Sequence, residues 1–274
     1  MNLMRRALPL LVLLALVAGC RKNSTTTSTT APSTDLIFQD EFSGSAGSSP
    51  TASRWRPEAG TDWGNQQLEY DTGRPTNVSH DGAGHLVITA RAENYLGSNY
   101  TSARINTKGL FAATNGRFEA RMKLPIGQGI WPAFWMLGAN IDQVGWPTCG
   151  EIDIMEMRGQ APATIWGSLH GPGYSGGNAL SSPFTLTGST FNDAFHVFAV
   201  EWSSARIIWQ VDGVTYKTVT PSNLPANAVW VFNHPFSILL NLAVGGNYVG
   251  APNASTVFPQ SLIVDYVRVY RINP

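Results

Sequence analysis

Three acids stand within six residues of one another in the segment Gly150-Glu-Ile-Asp-Ile-Met-Glu-Met157. On a β-strand side chains alternate, so Glu151 and Asp153 share a face and Glu156 points the other way. One extra residue near Ile154-Met155, a β-bulge, would return Glu156 to the first face. Ile152 would then turn into the core, with one of Ile154 or Met155 beside it. Three carboxylates on one face repel one another, a cost that points to use rather than to stability. Glycoside hydrolysis needs a pair of carboxyl groups, ~5–5.5 Å apart where anomeric configuration is kept. Asp153 between the two glutamates could hydrogen-bond to either, orient one and shift the pKa of the other. The competing reading is a solvated acidic edge strand. Ile152, Ile154 and Met155 are too apolar for that.

Tryptophan is dense just upstream. Trp131 and Trp135 are four residues apart, which on a strand puts both on one face. They could stack on sugar rings beside the reacting bond or pack in a core. Trp63 and Trp146 are open to the same two readings. The whole composition leans this way: nine Trp, eight Tyr and twelve Phe, with only 13% charged residues against a typical ~25%. Lys plus Arg is 18 and Asp plus Glu is 18, which gives no electrostatic reason to expect nucleic acid. A neutral ligand with flat apolar faces suits such a surface, and sugars fit.

The elements that must carry these residues alternate with a period of two. Such runs are His85–Arg91, Gly116–Lys123, Phe195–Trp202, Ile207–Val211 and Leu262–Tyr270. Asp81-Gly82, Asp212-Gly213 and Gly245-Gly246-Asn247 punctuate them as turns, and Val211-Asp-Gly-Val214 reads as a tight hairpin. No stretch keeps a 3.6-residue apolar period over three turns. The fold expected is all-β, a two-sheet jelly-roll sandwich.

The chain is expected to divide three ways. Residues 1–20 read as an export signal, with Arg5 and Arg6 before an apolar run too short to span a bilayer. The run ends at Val17-Ala-Gly-Cys20, which resembles the lipobox of bacterial lipoproteins; Cys20 would be acylated and become the mature N-terminus. Residues 21–34 are a Ser/Thr-rich tether unable to bury a core. Residues 35–274 form one domain. The membrane would then be met only through the lipid, outside the cytoplasm, at the outer membrane or cell surface. With Cys20 acylated, Cys149 has no disulfide partner and reads as a small packed side chain. A monomer is expected.

The Gly-Glu-Ile-Asp-Ile-Met-Glu string has company. Gly127-Gln-Gly-Ile-Trp-Pro-Ala-Phe-Trp-Met-Leu137 precedes it and Leu169-His-Gly-Pro-Gly173 follows. Trp63-Gly-Asn65, Tyr100–Arg104, Trp230–Pro235, Asn241–Gly246 and Val264–Tyr270 complete the pattern. Together these resemble glycoside hydrolase family sixteen, of the bacterial endo-β-1,3-glucanase (laminarinase) type, over essentially all of residues 35–272. The two residues between Asp153 and Glu156 are the bulged form of the motif.

The resemblance implies a concanavalin A-like jelly roll of two curved antiparallel sheets, with the cleft on the concave face. It implies Glu151 as nucleophile, Glu156 as general acid and then base, and Asp153 assisting, with endo cleavage of β-1,3-glucan and retention. Mixed-linkage glucan, galactan or agar-type substrates stay open, as do transglycosylation and a non-catalytic glucan-binding lectin. Asn65 and Arg104 would hydrogen-bond sugar hydroxyls, and Trp146 or its fellow tryptophans would stack on sugar rings. His170 would touch Glu156 or a sugar hydroxyl. No cofactor is implied for catalysis. A structural calcium ion is implied, with main-chain carbonyls at Glu41 and Gly84 and with Asp265 as its ligands.

Overall fold

Alternating β-branched, aromatic and polar residues give seventeen strands among the described residues, 35–272, of the computed structural model. The export signal, Cys20 and the tether at 21–34 lie outside the described residues. The first eight strands are β1 (Leu36–Asp40), β2 (Arg56–Glu58), β3 (Glu69–Asp71), β4 (Val78–His80), β5 (Leu86–Tyr95), β6 (Ser98–Ser102), β7 (Arg104–Asn106) and β8 (Gly116–Lys123). The middle of the chain supplies β9 (Ile130–Gly138), β10 (Glu151–Met157), β11 (Thr164–His170) and β12 (Leu180–Thr185). The remainder forms β13 (His196–Trp202), β14 (Ile207–Val211), β15 (Val214–Val219), β16 (Phe236–Val244) and β17 (Gln260–Tyr270).

These strands make two sheets. One has seven strands in the order β12-β11-β10-β9-β16-β7-β2. The other has ten, running β15-β14-β13-β8-β17-β5-β6-β3, with β1 added to β17 and β4 to β5. This is the expected all-β sandwich. Pairing is antiparallel apart from β3 with β6. A single cluster of buried side chains joins the two inner faces, including Phe118, Met122, Phe134, Ile152, Phe198, Trp202 and Trp209.

Sequence and structure agree best where one face is wet. β8 and β14 coincide residue for residue with their period-2 runs. The Asp212-Gly213 hairpin forms with both residues at positive φ, 49° and 79°, as a tight turn matched to strand twist requires. β16 gives no period-2 signal because every one of its residues is buried. One face meets the core and the other lies beneath the cleft, so polar alternation has no water to answer to. A four-residue helix, α1 (Ile141–Val144), is too short for any periodicity to announce it.

The two sheets pack closely behind β11. A Cβ added to Gly167 would fall 2.4 Å from Trp209 Cδ1 and 2.5 Å from the Tyr216 hydroxyl oxygen. Trp209 uses that space to reach across and donate its indole N–H to the main-chain oxygen of Asp153 at 2.8 Å. Gly167→Ala should therefore lower stability by about 1–3 kcal/mol through overpacking, read as a drop of several degrees in Tm. An unchanged Tm would show that Trp209 is free to withdraw.

Candidate active site

Between Asp153 and Glu156, β10 advances three residues while its neighbours advance two, Trp135 to Ala133 on β9 and Ser168 to Trp166 on β11. That is the bulge. Its effect is the expected one: Glu151, Asp153 and Glu156 all line a single cleft on the seven-stranded sheet. The core side differs from expectation, since both Ile154 and Met155 are buried in it, along with Ile152 and Met157. The extra residue thus adds an apolar anchor rather than freeing one.

The cleft, about 750 Å³ in volume, falls in the range of small-molecule sites. It crosses the strands, from Trp63, Asn65 and Arg104 on one side of the acids to Trp166, Ser168 and Ser181 on the other. Trp131, Trp135, Trp146 and His170 also line it. Every cleft residue expected from the sequence is therefore gathered here.

Several of them also hold partners within the protein. Trp131 donates its indole N–H to Glu156 Oε1 at 3.0 Å, and Trp146 donates to Glu151 Oε2 at 3.0 Å. Trp135 donates to Asn241 Oδ1 at 2.7 Å. An indole joins an apolar face to one strong donor, so each ring can present a surface while its edge holds a polar partner. Arg104 pairs with Glu58, and its guanidinium lies 4.7 Å from the Trp63 ring centre and 4.9 Å from that of Trp135. The expectation that His170 touches Glu156 is corrected. Its Nε2 lies 3.0 Å from Asp153 Oδ2 and 3.7 Å from Glu151 Oε1, because β11 pairs His170 opposite Glu151.

The ring's other nitrogen fixes what His170 can do. Gly176 N–H donates to His170 Nδ1 at 3.1 Å. With Nδ1 accepting, the ring proton resides on Nε2 and points at the acids. Glu151, Asp153 and His170 place ligand atoms within 4.8 Å of one another, yet a protonated Nε2 faces the carboxylates as a donor and not as a metal ligand.

Crowding sets the charge of the site. Burial pushes the Glu151 carboxyl up to about 8, reinforced by the Asp153 charge and opposed by His170 and the Trp146 N–H. Asp153 is raised to about 7, again by burial. Glu156 is raised well above the ordinary glutamate value by burial, then by the charges of Asp153 and Glu151. Glu156 has two negative neighbours that favour a proton on it and Glu151 has one, while His170 and an indole N–H oppose the rise at each.

The chain matches the family model described as glycosyl hydrolases family 16 over residues 58–258. The chain belongs to this family. Among family 16 relatives, a β-glucanase of Rhodothermus marinus is 38% identical over 267 residues, covering 94% of this chain and 93% of that protein. The solved endo-β-1,3-glucanase of Pyrococcus furiosus superposes with a TM-score of 0.82 at 46% identity, over 87% of this chain and 94% of that one. The laminarinase catalytic domain of Thermotoga maritima gives 0.82 at 43% identity, covering 87% and 98%.

Within this family 16 site the sequence reading missed several groups. Asn241 receives the Trp135 N–H; its place on a strand without alternation hid it. Tyr248 packs on Trp131 with ring centres 4.9 Å apart and carries Arg158 over its own ring at 4.3 Å. Asp71 receives the Trp63 N–H at 2.7 Å, and burial raises its carboxyl to about 7. Beside it Glu69, also raised by burial, accepts the Val244 N–H at 2.8 Å. No spacing rule relates these residues to the motif. Asn233 and His234, by contrast, do not line the cleft, and His234 stacks on Phe236. Cys149 is buried and free, its thiol pushed up to about 11 by burial, in line with a packing role.

The residues of the implied calcium site lie apart from the cleft. Both oxygens of the Glu41 carboxylate accept from Arg268 at 2.8 Å, and Asp265 Oδ2 accepts from Arg121. A guanidinium therefore already neutralises the one side-chain ligand of the set, and the residues fit a divalent cation poorly.

The raised Glu151 pKa makes stability depend on pH. Between about 4.5 and 8 the folded chain holds a proton that the unfolded chain has released, so stability falls as pH rises through that window. Glu151→Gln lacks this titration, and its Tm advantage over the unmodified protein should grow from pH 5 to pH 9. Parallel Tm–pH curves for the two proteins would contradict the assignment.

Proposed function

We propose that the protein is an endo-acting, retaining β-1,3-glucanase. The observation that carries this reading is the bulge that sets Glu151, Asp153 and Glu156 on one face in the middle of a tryptophan-walled cleft. The names of the similar proteins, a β-glucanase and two endo-β-1,3-glucanases or laminarinases, supply the substrate. A cleft crossing the sheet admits a chain that continues past both ends, which suits internal cleavage.

In the reaction we assign, a glycosyl unit lies with its anomeric carbon over Glu151. The Glu151 carboxylate attacks that carbon and the bond to the glycosidic oxygen breaks. Glu156 gives its proton to the departing oxygen. The covalent glycosyl–enzyme is then opened by water, which loses a proton to Glu156 and restores both carboxyl groups. Two displacements at one carbon return the original configuration. Asp153, between Glu151 and His170, fixes the orientation of the nucleophile. Arg104, layered between Trp63 and Trp135, and Asn65 offer donors to hydroxyl groups along one arm of the cleft.

Digests of laminarin, lichenan and agarose by the purified protein, analysed for product length, linkage and anomeric form, test this. Short β-1,3-linked products of β configuration from laminarin are expected. Glu156→Ala should lower kcat by roughly 10²–10⁴-fold and Glu151→Ala should abolish turnover, each retaining laminarin binding. Cleavage of agarose or lichenan but not laminarin would reassign the substrate, and undiminished turnover in either variant would remove the mechanism.

We also propose export and lipid anchoring at Cys20, carried by the lipobox-like Val17-Ala-Gly-Cys20. In cells, the protein should partition into a detergent phase, and Cys20→Ser should move it to the aqueous phase. Detergent partitioning that survives Cys20→Ser would place the anchor elsewhere.

A further inference from the structure

A lysine lies in the space between the two sheets. Lys217 is only 7% exposed, on a strand that is otherwise half open. A bulge against Trp209 and Gln210 shifts the register of β15 at this point. Its ammonium donates to the main-chain oxygen of Gly167 at 2.9 Å and to that of Leu180. It also lies 4.3 Å from the centre of the Trp209 ring. Among the described residues its hydrogen-bond acceptors are main-chain oxygens, and no carboxylate forms an ion pair with it. Burying a cation without a paired carboxylate is costly, and a methionine would fill such a space without that cost.

Everything that holds this ammonium belongs to the catalytic strands or braces them. Gly167 precedes Ser168, which pairs opposite Asp153. Leu180 begins β12, the next strand out. Trp209, covered by the ammonium on its face, gives its N–H to the Asp153 main chain at 2.8 Å. A positive charge is thus set on the core side of the β10–β11 ladder, directly behind the place where three acids crowd its cleft side.

We propose that Lys217 is a positioning residue for the catalytic carboxylates, a buried cation that braces the β10–β11 ladder from the core side, behind Asp153. This rests on the roles given to Glu151, Asp153 and Glu156 above. The electrostatics run the same way. Against burial, Asp153 is pulled down first by its hydrogen bond with Glu151 and then by the Lys217 charge, while His170 acts on Glu151 and Glu156. Burial lowers the lysine itself to about 7, and the Asp153 charge opposes that fall. The support it gives is therefore present below about pH 7 and fades above it.

The neighbours leave few other candidates for this coupling. β14 and β12 carry no ionisable side chain. β11 carries only His170, and β10 the three acids on its far face. On β15 itself, Tyr216 is a phenol whose pKa burial raises, so it stays uncharged.

The test uses the full chain with Lys217→Met and Lys217→Gln. Removing the cation raises the Asp153 pKa, and a protonated Asp153 no longer pushes Glu151 and Glu156 up, so both limbs of the kcat/KM–pH profile on laminarin should move to lower pH. A displacement of half a unit to one unit is a roughly three- to tenfold loss above the basic limb. Gln keeps a donor for the Gly167 oxygen and separates charge from bracing if Met fails to fold. Profiles that superimpose on the unmodified protein, with only Tm lowered, would reduce Lys217 to a structural bolt and overturn the proposal. A second readout needs no substrate: the upper end of the pH window over which Glu151→Gln gains Tm should fall in the Lys217→Gln background. Laminarin left uncut would defeat the functional reading while this second readout still decides the role of Lys217. An unmoved window would overturn that role.

Discussion

One inserted residue in β10 carries the chemistry of this molecule. Without the bulge, Glu156 would point into a core of Ile, Met and Phe, where an unpaired carboxyl group is costly. With it, three acids share one face and one additional apolar side chain joins the core, so that Ile154 and Met155 together lock the strand from behind. The distortion is thus stabilised by the core it displaces. Its registers with β9 and β11 slip together, so the whole local ladder is built around it.

Crowded acids then have to be contained, and tryptophan does much of the containing. Trp131, Trp146 and Trp63 each give an indole N–H to a carboxylate, Trp135 to Asn241, and Trp209 to the main chain of Asp153 from behind. The buried rings of Trp131 and Trp209 exclude water from the acids and each returns one hydrogen bond in its place. Excluding water raises the carboxyl pKa values, while the donors limit how far the anions are destabilised. The rings in the cleft also leave flat faces along it, so substrate surface and acid tuning come from one residue type.

The charge balance acquires a physical sense in this setting. On the ten-stranded sheet, arginines pair with acids: Arg117 with Glu119 and Glu201, Arg121 with Asp265, Arg268 with Glu41. In the cleft, Arg104 is absorbed by Glu58 and two indoles. His170 and the buried Lys217 are left to act on the catalytic acids, one from the cleft and one from the core.

The sequence alone determined the strand class of the fold, the tight Asp212-Gly213 turn and the face shared by the three acids, because alternation and turn chemistry are local properties of the chain. It also named Trp131, Trp135, Trp146 and His170 as cleft residues, in or beside β9–β11, and Asn65 and Arg104 through the family resemblance. What each of them touches was decided only by the tertiary structure. His170 meets Asp153 and Glu151 because β11 pairs with β10 in one particular register. The strand β16 stayed hidden because burial on both faces erases alternation. Asp71, Asn241, Tyr248 and Lys217 arrive from far along the chain, and their roles follow from packing two sheets together. Long-range contact of that kind leaves no period in a sequence, because the partner that gives a residue its meaning is not its neighbour.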